Sequence, residues 1–327
     1  MNDIFDVTFL SHETADSFLL SIGNTERQTH ILVDGGLAKD TKSSIPYIRA
    51  LSKAGKALDL VVVTHVDNDH ISGILSLFRN DFVNKDFVKE VWFNGNASTS
   101  LASDPAGLKV GFEQGNKLSK LLHEKGIAFK GAIGDGSTTF VDDMCKVHVL
   151  APSNQAIAEV NADWASYDSL KVGSEIPDHD VPWAEFDDED FIEDNSSTNR
   201  SSIVLYIQAI SSGKTAIFAG DSIPAEILNI VPLRRHLDLL KIPHHGSKSN
   251  TNKLLIQRLP AKRYIITAGS RSKKPHKKTL HTLFSNTEGK IELHVPKGNW
   301  SVQAIQAYPA AEGCAVIEYS IGCQISI

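Results

Sequence analysis

Residues 59–73 read DLVVVTHVDNDHISG, and this stretch decides how the rest of the chain is interpreted. The apolar run Leu60–Val63 predicts a short buried strand, and the apolar spacing that begins at Ile71 predicts a helix directly behind it. Between the two lie four potential metal ligands within six residues: His65, Asp67, Asp69 and His70. Because the strand and the helix hold the turn at both ends, we expect these side chains to converge on a metal ion.

Two later segments offer further ligands at the ends of predicted strands. Ala216–Ala219 is followed by Gly220 and Asp221, and Leu239–Pro243 is followed by His244-His245-Gly246-Ser247. Polar residues at the carboxyl ends of strands are where α/β proteins collect their binding sites. Imidazole and carboxylate sites take about four to six donors, usually from several loops, so the three segments together can supply one site.

The ordered set of these motifs resembles the metallo-β-lactamase superfamily of metal-dependent hydrolases. Within it, the chain is most similar to the branch typified by the hydrolase domain of the competence (DNA-uptake) channel protein. In that branch Asp replaces the second His of the usual His-x-His-x-Asp-His motif, and Asp67 is that replacement here. Asp6–Leu10, Ala15–Leu20 and Ile31–Gly36 resemble the family's opening strands and its Asp-Gly-Gly turn. The resemblance covers most of residues 4–285.

The resemblance implies an α/β fold with a four-layer αββα sandwich. Alternating strand-like and helical patterns agree with an α/β protein, although periodicity alone does not distinguish this sandwich from a doubly wound sheet. We expect a hydrolase domain at residues 1–287 with an acidic insertion at about 160–198. Residues 288–327 should form a β-rich C-terminal extension packed on the same domain, with strands in three runs: Ile291–Val295, Val302–Ala307 and Ala315–Ile321.

Length and composition favour a cytoplasmic globular protein. A chain of 327 residues with 41% hydrophobic content can bury a large core. The first ten residues lack a basic region followed by a long apolar run, and no run of about 18 apolar residues occurs, so neither secretion nor a membrane partner is indicated. Three cysteines outside any Cys-x-x-Cys spacing argue against a disulfide framework or a cysteine zinc site.

By resemblance, the site binds two divalent cations, zinc or manganese, with magnesium as a further option. The implied ligands are His65 and Asp67 for the first ion, Asp69, His70 and His245 for the second, and Asp221 as the bridge. A hydroxide between the ions would be the nucleophile, because metal binding lowers the pKa of water. Asp69 and Asp221 are therefore catalytic candidates. Asp34 is a candidate partner for the other nitrogen of a ligating imidazole.

The chain departs from the superfamily pattern at residues 195–202, where the usual ligand His is missing. Asn199 and Ser202 match the Asn and Ser of the competence-type branch. With fewer imidazoles and more carboxylates, the site favours manganese or magnesium, and zinc stays an option. His276 follows Pro275 where relatives carry Gly-His-Pro, and it is a candidate general acid. The candidate substrate contacts are His244, Asn199, Ser247, Lys248, Lys273 and Lys274.

Charge is concentrated in two blocks. The acidic block, Glu175–Asp194, holds ten carboxylates and no Lys or Arg, which predicts a solvated, mobile loop. The alternative is a lid over the site, anchored by Trp164, Trp183 and Phe186. The basic block, Lys241–Lys278, holds eleven Lys or Arg and no Asp or Glu, and it would attract an anionic phosphate ester. Four of its members can instead form a solvated helix face: Lys253, Arg258, Lys262 and Arg263.

We therefore expect a metal-dependent hydrolase, with a phosphodiesterase or nuclease as the leading interpretation and nucleic acid or a nucleotide as the substrate. The net charge of −6 argues against a high-affinity, non-specific DNA binder, but a local basic patch suffices for a catalytic encounter. One alternative is a carbonyl hydrolase acting on a lactone, lactam or ester. Another is an interaction module of a DNA-processing or defence system, in which the metals only stabilise the fold.

Overall fold

The computed structural model describes residues 3–95, 110–134, 136, 139–166, 176–230 and 234–327. The strands are β1 Asp3–Phe9, β2 Phe18–Asn24, β3 Gln28–Val33, β4 Leu60–Val63, β5 Val91–Phe93, β6 Phe129–Lys130, β7 Thr139–Val141, β8 Cys145–Ala151, β9 Val204–Ala209, β10 Thr215–Phe218, β11 Leu237–Lys241, β12 Ala261–Ile265, β13 Glu292–Pro296, β14 Ala315–Tyr319 and β15 Gln324–Ser326. The α-helices are α1 Thr41–Lys53, α2 Asn68–Phe78, α3 Val110–Lys125, α4 Asn154–Ser166, α5 Ser197–Arg200, α6 Pro224–Ile230, α7 Lys253–Arg258, α8 Lys277–Ser285 and α9 Ser301–Gln306.

The strands form two mixed sheets. The first has the order β15-β1-β2-β3-β4-β5-β6, and the second has the order β14-β13-β12-β11-β10-β9-β8-β7. Successive side chains of a strand point to opposite faces. Val62 therefore lies in the core between the sheets, whereas Val61 and Val63 face the outer helices. Apolar side chains of α1 to α4 pack on the outside of the first sheet, and those of α6 to α9 pack on the second. The predicted four-layer α/β sandwich is confirmed.

The C-terminal residues contribute to both sheets. β13 and β14 run parallel at one end of the second sheet, and β15 pairs antiparallel with β1 in the first. The strand predicted at Val302–Ala307 is wrong, because these residues lie mostly in α9. Val302 and Ile305 are spaced for one face of a helix, and a short apolar run does not distinguish the two structures. The domain boundary at residue 287 stays a prediction.

Parallel strands bring the predicted motifs to one edge of the sandwich. β3, β4 and β5 are parallel in the first sheet, and β10, β11, β12 and β13 are parallel in the second. The carboxyl ends of parallel strands meet at the same edge. Five residues that follow these strands therefore lie together: Asp34, His65, Asp221, His244 and Thr267.

Two glycines allow α2 to approach the turn after β3. A β-carbon at Gly73 would lie 1.8 Å from the carbonyl oxygen of Gly35, a distance no side chain tolerates. The backbone N–H of Gly35 donates to the carbonyl of His70 at 2.9 Å, and that of Gly73 donates to the carbonyl of Gly36 at 2.8 Å. The Asp-Gly-Gly sequence thus fixes the first turn of α2, and with it His70, beside Asp34.

The described part of the acidic block, residues 176–194, packs against α8. Asp178 is buried, and its two carboxylate oxygens accept hydrogen bonds from the backbone N–H groups of Lys277 and Lys278 at 2.7 and 3.0 Å. These are the first residues of α8, whose N–H groups have no acceptor within the helix. The carboxylate therefore caps α8 and complements the positive end of its dipole.

Further contacts order the same part of the block. The ring of Trp183 stacks on Tyr308 with centroids 4.0 Å apart, and Asp188 accepts hydrogen bonds from Thr282 and Asn286 at 2.7 and 2.6 Å. Every residue of 176–194 except Asp178 is exposed or half-buried, which agrees with the predicted solvated loop, and its mobility stays a prediction. α8 supplies donors and positive charge that offset the acidity of the block.

The predicted anchors of the acidic block divide between two places. Trp183 lies in the block itself, with Phe186 at a centroid distance of 6.3 Å. Trp164 lies instead in α4, stacked on Phe112 at 4.9 Å on the outside of the first sheet. Glu175 lies outside the described residues. The alternative prediction of a lid over the site stays a prediction.

Replacing Asp178 with alanine should lower the free energy of unfolding by about 1–2 kcal/mol, because α8 loses the acceptor of two N–H groups. Thermal or urea unfolding followed by circular dichroism measures the loss. Asp180→Ala is the matched control, since Asp180 is an exposed carboxylate two residues along the same block. Equal stability of the two variants would contradict the assignment of Asp178 as a cap.

The predicted helix face of the basic block is also wrong. Lys253 and Arg258 are the first and last residues of α7, but Lys262 and Arg263 lie in β12. Lys262 pairs with Asp238 at 2.9 Å and Arg263 with Glu292 at 2.8 Å.

Within the described parts of the chain, no helix is long and apolar enough to cross a membrane.

Candidate metal centre

The turn between β4 and α2 presents the first four predicted ligands. Asp67 is the N-cap residue of α2, but its side chain makes no capping bond and stays available. Asp69 and His70 lie in the first turn of the helix, and the N–H of His70 bonds the carbonyl of Asp67 at 3.0 Å. His65 is buried, and its Nε2 lies 3.7 Å from Oδ2 of Asp67.

Asp221 lies at the centre of the cluster. Its side chain is buried, and four imidazoles surround it. Oδ1 lies 3.3 Å from Nε2 of His70, and Oδ2 lies 3.8 Å from Nε2 of His65. Oδ2 is also 3.5 Å from Nε2 of His244 and 3.6 Å from Nε2 of His245. Asp221 thus lies between imidazoles from both sheets. His65 and His70 follow β4 of the first sheet, and His244 and His245 follow β11 of the second.

Among the described residues, three overlapping groups of side chains have the spacing of metal ligands, with ligand atoms within 4.8 Å of one another. The first group is His65, His70 and Asp221, the second is Asp69, His70 and His245, and the third is Asp16, Asp34 and His70. Within the second group, Nε2 of His245 is 3.1 Å from Oδ2 of Asp69. The structure therefore brings all six predicted ligands to one place, with Asp67 beside the first group, and their division between two ions stays a prediction.

Three buried atoms of the cluster fit a bound cation. Nε2 of His65, Nε2 of His70 and Oδ1 of Asp221 are shielded from solvent and make no hydrogen bond of ordinary geometry with any part of the chain that the structure describes. Buried polar atoms are nearly always satisfied, so three such atoms together need an explanation. Imidazole nitrogens and carboxylate oxygens are ligands of zinc and manganese. The donor set therefore fits divalent metal ions.

A layer of acceptors behind the imidazoles points their Nε2 atoms at the centre. The Oδ2 atom of Asp34 accepts from Nδ1 of His70 at 2.8 Å and from the hydroxyl of Thr64 at 2.7 Å. The same Thr64 hydroxyl lies 3.1 Å from Nδ1 of His65, so it accepts there while donating to Asp34. With the proton on Nδ1 in each ring, the Nε2 lone pair is free for a metal.

His245 is held in the same way from the second sheet. Its Nδ1 donates to the hydroxyl of Thr267 at 2.8 Å, and that hydroxyl donates to Oδ1 of Asp16 at 2.6 Å. Asp16 and Asp34 therefore act as paired outer acceptors, one for each of two ligating imidazoles. Sequence analysis named Asp34 as a partner of a ligating imidazole, placed Asp16 only within the segment Ala15–Leu20, and gave no signal for Thr267.

The charges in the cluster shift one another. Burial disfavours an imidazolium at His70, but Asp221 and Asp34 outweigh burial and raise the pKa of His70 well above its usual value. Burial also works against the Asp221 carboxylate, yet His70, His244 and His245 hold its pKa well below the usual range. Both shifts reflect one demand for positive charge among buried carboxylates. A divalent cation meets that demand.

The turn after β11 has a strained backbone. His244, His245 and Gly246 have φ values of 47°, 56° and 85°, in the left-handed region that side chains rarely adopt. A β-carbon at Gly246 would lie 2.6 Å from that of Pro275, so only glycine fits there. The strained turn directs both imidazoles towards Asp221, and such strain is typical of functional sites.

Two predicted substrate contacts border the cluster. His244 is partly exposed, and its Nδ1 donates to Oδ1 of Asn250 at 2.9 Å. Asn199 donates through Nδ2 to Asp194 at 2.6 Å, and its buried Oδ1 has no hydrogen-bond partner among the described residues. Asp194, the last residue of the acidic block, also accepts from Asn250 at 3.1 Å. Sequence analysis treated Asp194 only as part of a charge run and missed that it borders the site.

The other predicted contacts lie beside the strained turn. Ser247 is buried and follows His245, and His276 is buried with its Nδ1 accepting from the backbone N–H of Lys248 at 3.2 Å. The Nζ atom of Lys248 donates to the carbonyl of Ile176 at 2.9 Å. Lys273 is exposed and Lys274 is half-buried in the loop before α8. The roles predicted for these residues stay predictions.

The acidic block packs against part of the basic block. The side chains of Lys248, Lys277 and Lys278 all donate to backbone carbonyls of residues 176–190. Lys253 also pairs with Glu189 at 3.4 Å. Four of the eleven basic side chains are therefore held against the acidic block instead of facing a substrate.

Comparisons with known proteins agree with the geometry. Residues 16–101 match the family described as Metallo-beta-lactamase superfamily. The chain is 27% identical over 247 residues to ComE operon protein 3 of Bacillus subtilis (strain 168), an alignment that covers 74% of this chain and 24% of that protein. The chain thus spans about a quarter of the length of this relative.

Two solved structures are similar at low sequence identity. The metallo-beta-lactamase fold protein YhfI from Bacillus subtilis is 14% identical with a TM-score of 0.49, and the match covers 89% of this chain and 96% of YhfI. The short form of human tRNase Z is 14% identical with a TM-score of 0.42, and the match covers 98% and 99% of the two chains.

Proposed function

We propose that this chain, which carries a metallo-β-lactamase superfamily domain of the competence-type branch, is a metal-dependent phosphodiesterase with nucleic acid or a nucleotide as substrate. The observation that carries the proposal is the donor set around Asp221. It combines three carboxylates with three imidazoles: Asp67, Asp69 and Asp221 with His65, His70 and His245. Such a set favours hard cations that also bind phosphate oxygens, manganese and magnesium above all, with zinc as an alternative.

When bound, the cations supply Lewis-acid stabilisation of the phosphoryl oxygens and activation of the attacking water. The protein's own part is orientation. Asp34 and Thr64 hold His70 and His65, and Thr267 holds His245, so that each ring keeps its Nδ1 proton away from the centre. His244 stands at the partly exposed rim with Nε2 towards Asp221, where a substrate oxygen can reach it.

The proposed test measures hydrolysis by protein stripped of metal and reloaded with manganese, magnesium or zinc. The substrates are bis-para-nitrophenyl phosphate, single-stranded DNA and a chromogenic lactam. Cleavage of the two phosphodiesters should depend on added metal and fall at least about a hundredfold in Asp69→Ala, because that substitution removes a carboxylate ligand. Asp86→Ala, at an exposed site after α2, is the control that should keep full activity.

Turnover of the lactam alone would replace the proposal with a carbonyl hydrolase. Bound metal with no hydrolysis of any of the three substrates would instead favour a structural role for the ions.

A further inference from the structure

Lys241 is an ammonium group buried inside the candidate site. It is the last residue of β11, and its side chain has no exposed surface. Its Nζ atom forms an ion pair with Asp16, donates to the carbonyl of Gly220 at 2.9 Å and lies 3.8 Å from Oδ1 of Asp221. Among the residues that the structure describes, no other Lys or Arg is buried.

Packing does not explain this residue. Removing an ammonium from water is costly, and an apolar side chain of similar volume can fill the same space at lower cost. The two carboxylates that Lys241 faces both belong to the site: Asp16 stands behind His245, and Asp221 belongs to the first group of ligands and lies 3.6 Å from His245 of the second. The positive charge therefore acts on the site itself.

The surroundings of Lys241 are strongly acidic. Asp221 lies among the other site carboxylates, and like charges this close in a buried region repel one another. Asp16 is buried with Lys241 as its ion-pair partner, and Nδ1 of His245 lies 3.4 Å from its Oδ1. Oδ1 of Asp221 faces both Lys241 and Nε2 of His70, so the ammonium stands beside an oxygen that a cation would use.

We propose that Lys241 is a positioning residue, a permanent internal counter-ion that holds the acidic cluster together before metal binds and then competes with the metal for Asp221. The inference rests on the proposed metal centre. Its first consequence is that the protein folds without metal, since one fixed positive charge already offsets the repulsion. Its second is that divalent cations bind less tightly than the ligands alone would allow.

The test compares Lys241→Met with the unaltered protein in two measurements that need no turnover. The first is the melting temperature in EDTA and in excess manganese, and the second is the manganese dissociation constant by calorimetry. Lys241→Met should lower the melting temperature in EDTA more than in manganese, because the ions take over the neutralisation. It should also bind manganese about tenfold more tightly, because a repulsive charge close to Asp221 is gone. Lys262→Met, an exposed lysine on the next strand, should change neither quantity.

Two further variants keep the inference testable if Lys241→Met does not fold. Asp16→Asn removes the charged partner, and the double variant Asp16→Asn/Lys241→Met removes both charges. The double variant should bind manganese more tightly than Asp16→Asn alone. An equal drop in melting temperature with and without manganese, or weaker manganese binding after loss of the ammonium, overturns the inference while leaving the proposed function intact. Absence of manganese binding by the unaltered protein overturns both.

Discussion

Replacing Asp221 with asparagine should reduce phosphodiester hydrolysis by about a thousandfold or more while the protein stays folded. Asparagine keeps the shape of the side chain but not its charge. Four imidazoles and the ammonium of Lys241 lie within 4 Å of this carboxylate, so it is the charge that most of the site faces. An amide has no negative charge to offset bound cations, and its NH₂ group would donate to the Nε2 lone pairs that face the centre and so occupy atoms that would bind metal.

Two measurements separate loss of the centre from loss of the fold. Calorimetry should show manganese binding weakened together with activity, and circular dichroism should show unchanged secondary structure. Asp238→Asn is the matched control: Asp238 lies near the start of β11, pairs with Lys262 and should leave activity unchanged. If Asp221→Asn is less stable and the unaltered protein hydrolyses none of the substrates, the result would instead support a purely structural role for the metal site.

Two different substitutions of Asp34 should separate its contribution to stability from its contribution to metal binding. The carboxylate is fully buried, with one oxygen accepting from the backbone N–H of Thr64 at 2.7 Å. The other accepts from the Thr64 hydroxyl and from Nδ1 of His70. Asp34→Ala leaves these donors without an acceptor in a dry interior, which should cost about 3–5 kcal/mol of unfolding free energy.

Asp34→Asn should act on the tautomer of His70 rather than on the fold. The N–H of Thr64 requires the amide oxygen on its side, so the NH₂ group faces His70 and donates to Nδ1. The ring proton then moves to Nε2, where it blocks the lone pair that faces the centre. We expect manganese affinity to fall about 10–100-fold with a smaller loss of stability than in the alanine variant.

Nuclear magnetic resonance of the imidazole nitrogens reports the tautomer directly, and calorimetry reports the affinity. Equal metal binding by Asp34→Asn and the unaltered protein would show that Asp34 has no part in orienting His70. A larger loss of stability in the asparagine variant than in the alanine variant would contradict the hydrogen-bond assignment.

Local patterns predicted the site better than they predicted its surroundings. The turn from His65 to His70 was readable because a buried strand and an amphipathic helix flank it, and both signals lie within a few residues. The strand–helix confusion at Val302–Ala307 has the opposite cause. A run of six residues contains less than two helical turns, and its apolar spacing fits both structures.

Features that depend on contacts between residues distant in the sequence could not be predicted from local sequence patterns. Lys241 belongs to an apolar strand in which a single lysine looks like a surface residue, and only the neighbouring strand ends show that it is buried. The packing of the acidic block on α8 could not be predicted from the charge of the block alone. Its carboxylates meet α8 about 100 positions later, as the bonds from Lys277 and Lys278 to Asp178 show.

The hydrogen bond between Thr267 and Asp16 joins residues 251 positions apart. Because it joins the two sheets, we expect the metal centre to be completed late in folding. A chain with only its first sheet formed would present the His65–His70 turn but would lack Asp221 and His245, and such long-range closures come late in assembly. A half-folded chain therefore offers a cation a weak chelate, and high affinity should appear only when the two sheets dock. We therefore expect tight metal binding to follow completion of the fold rather than to template it.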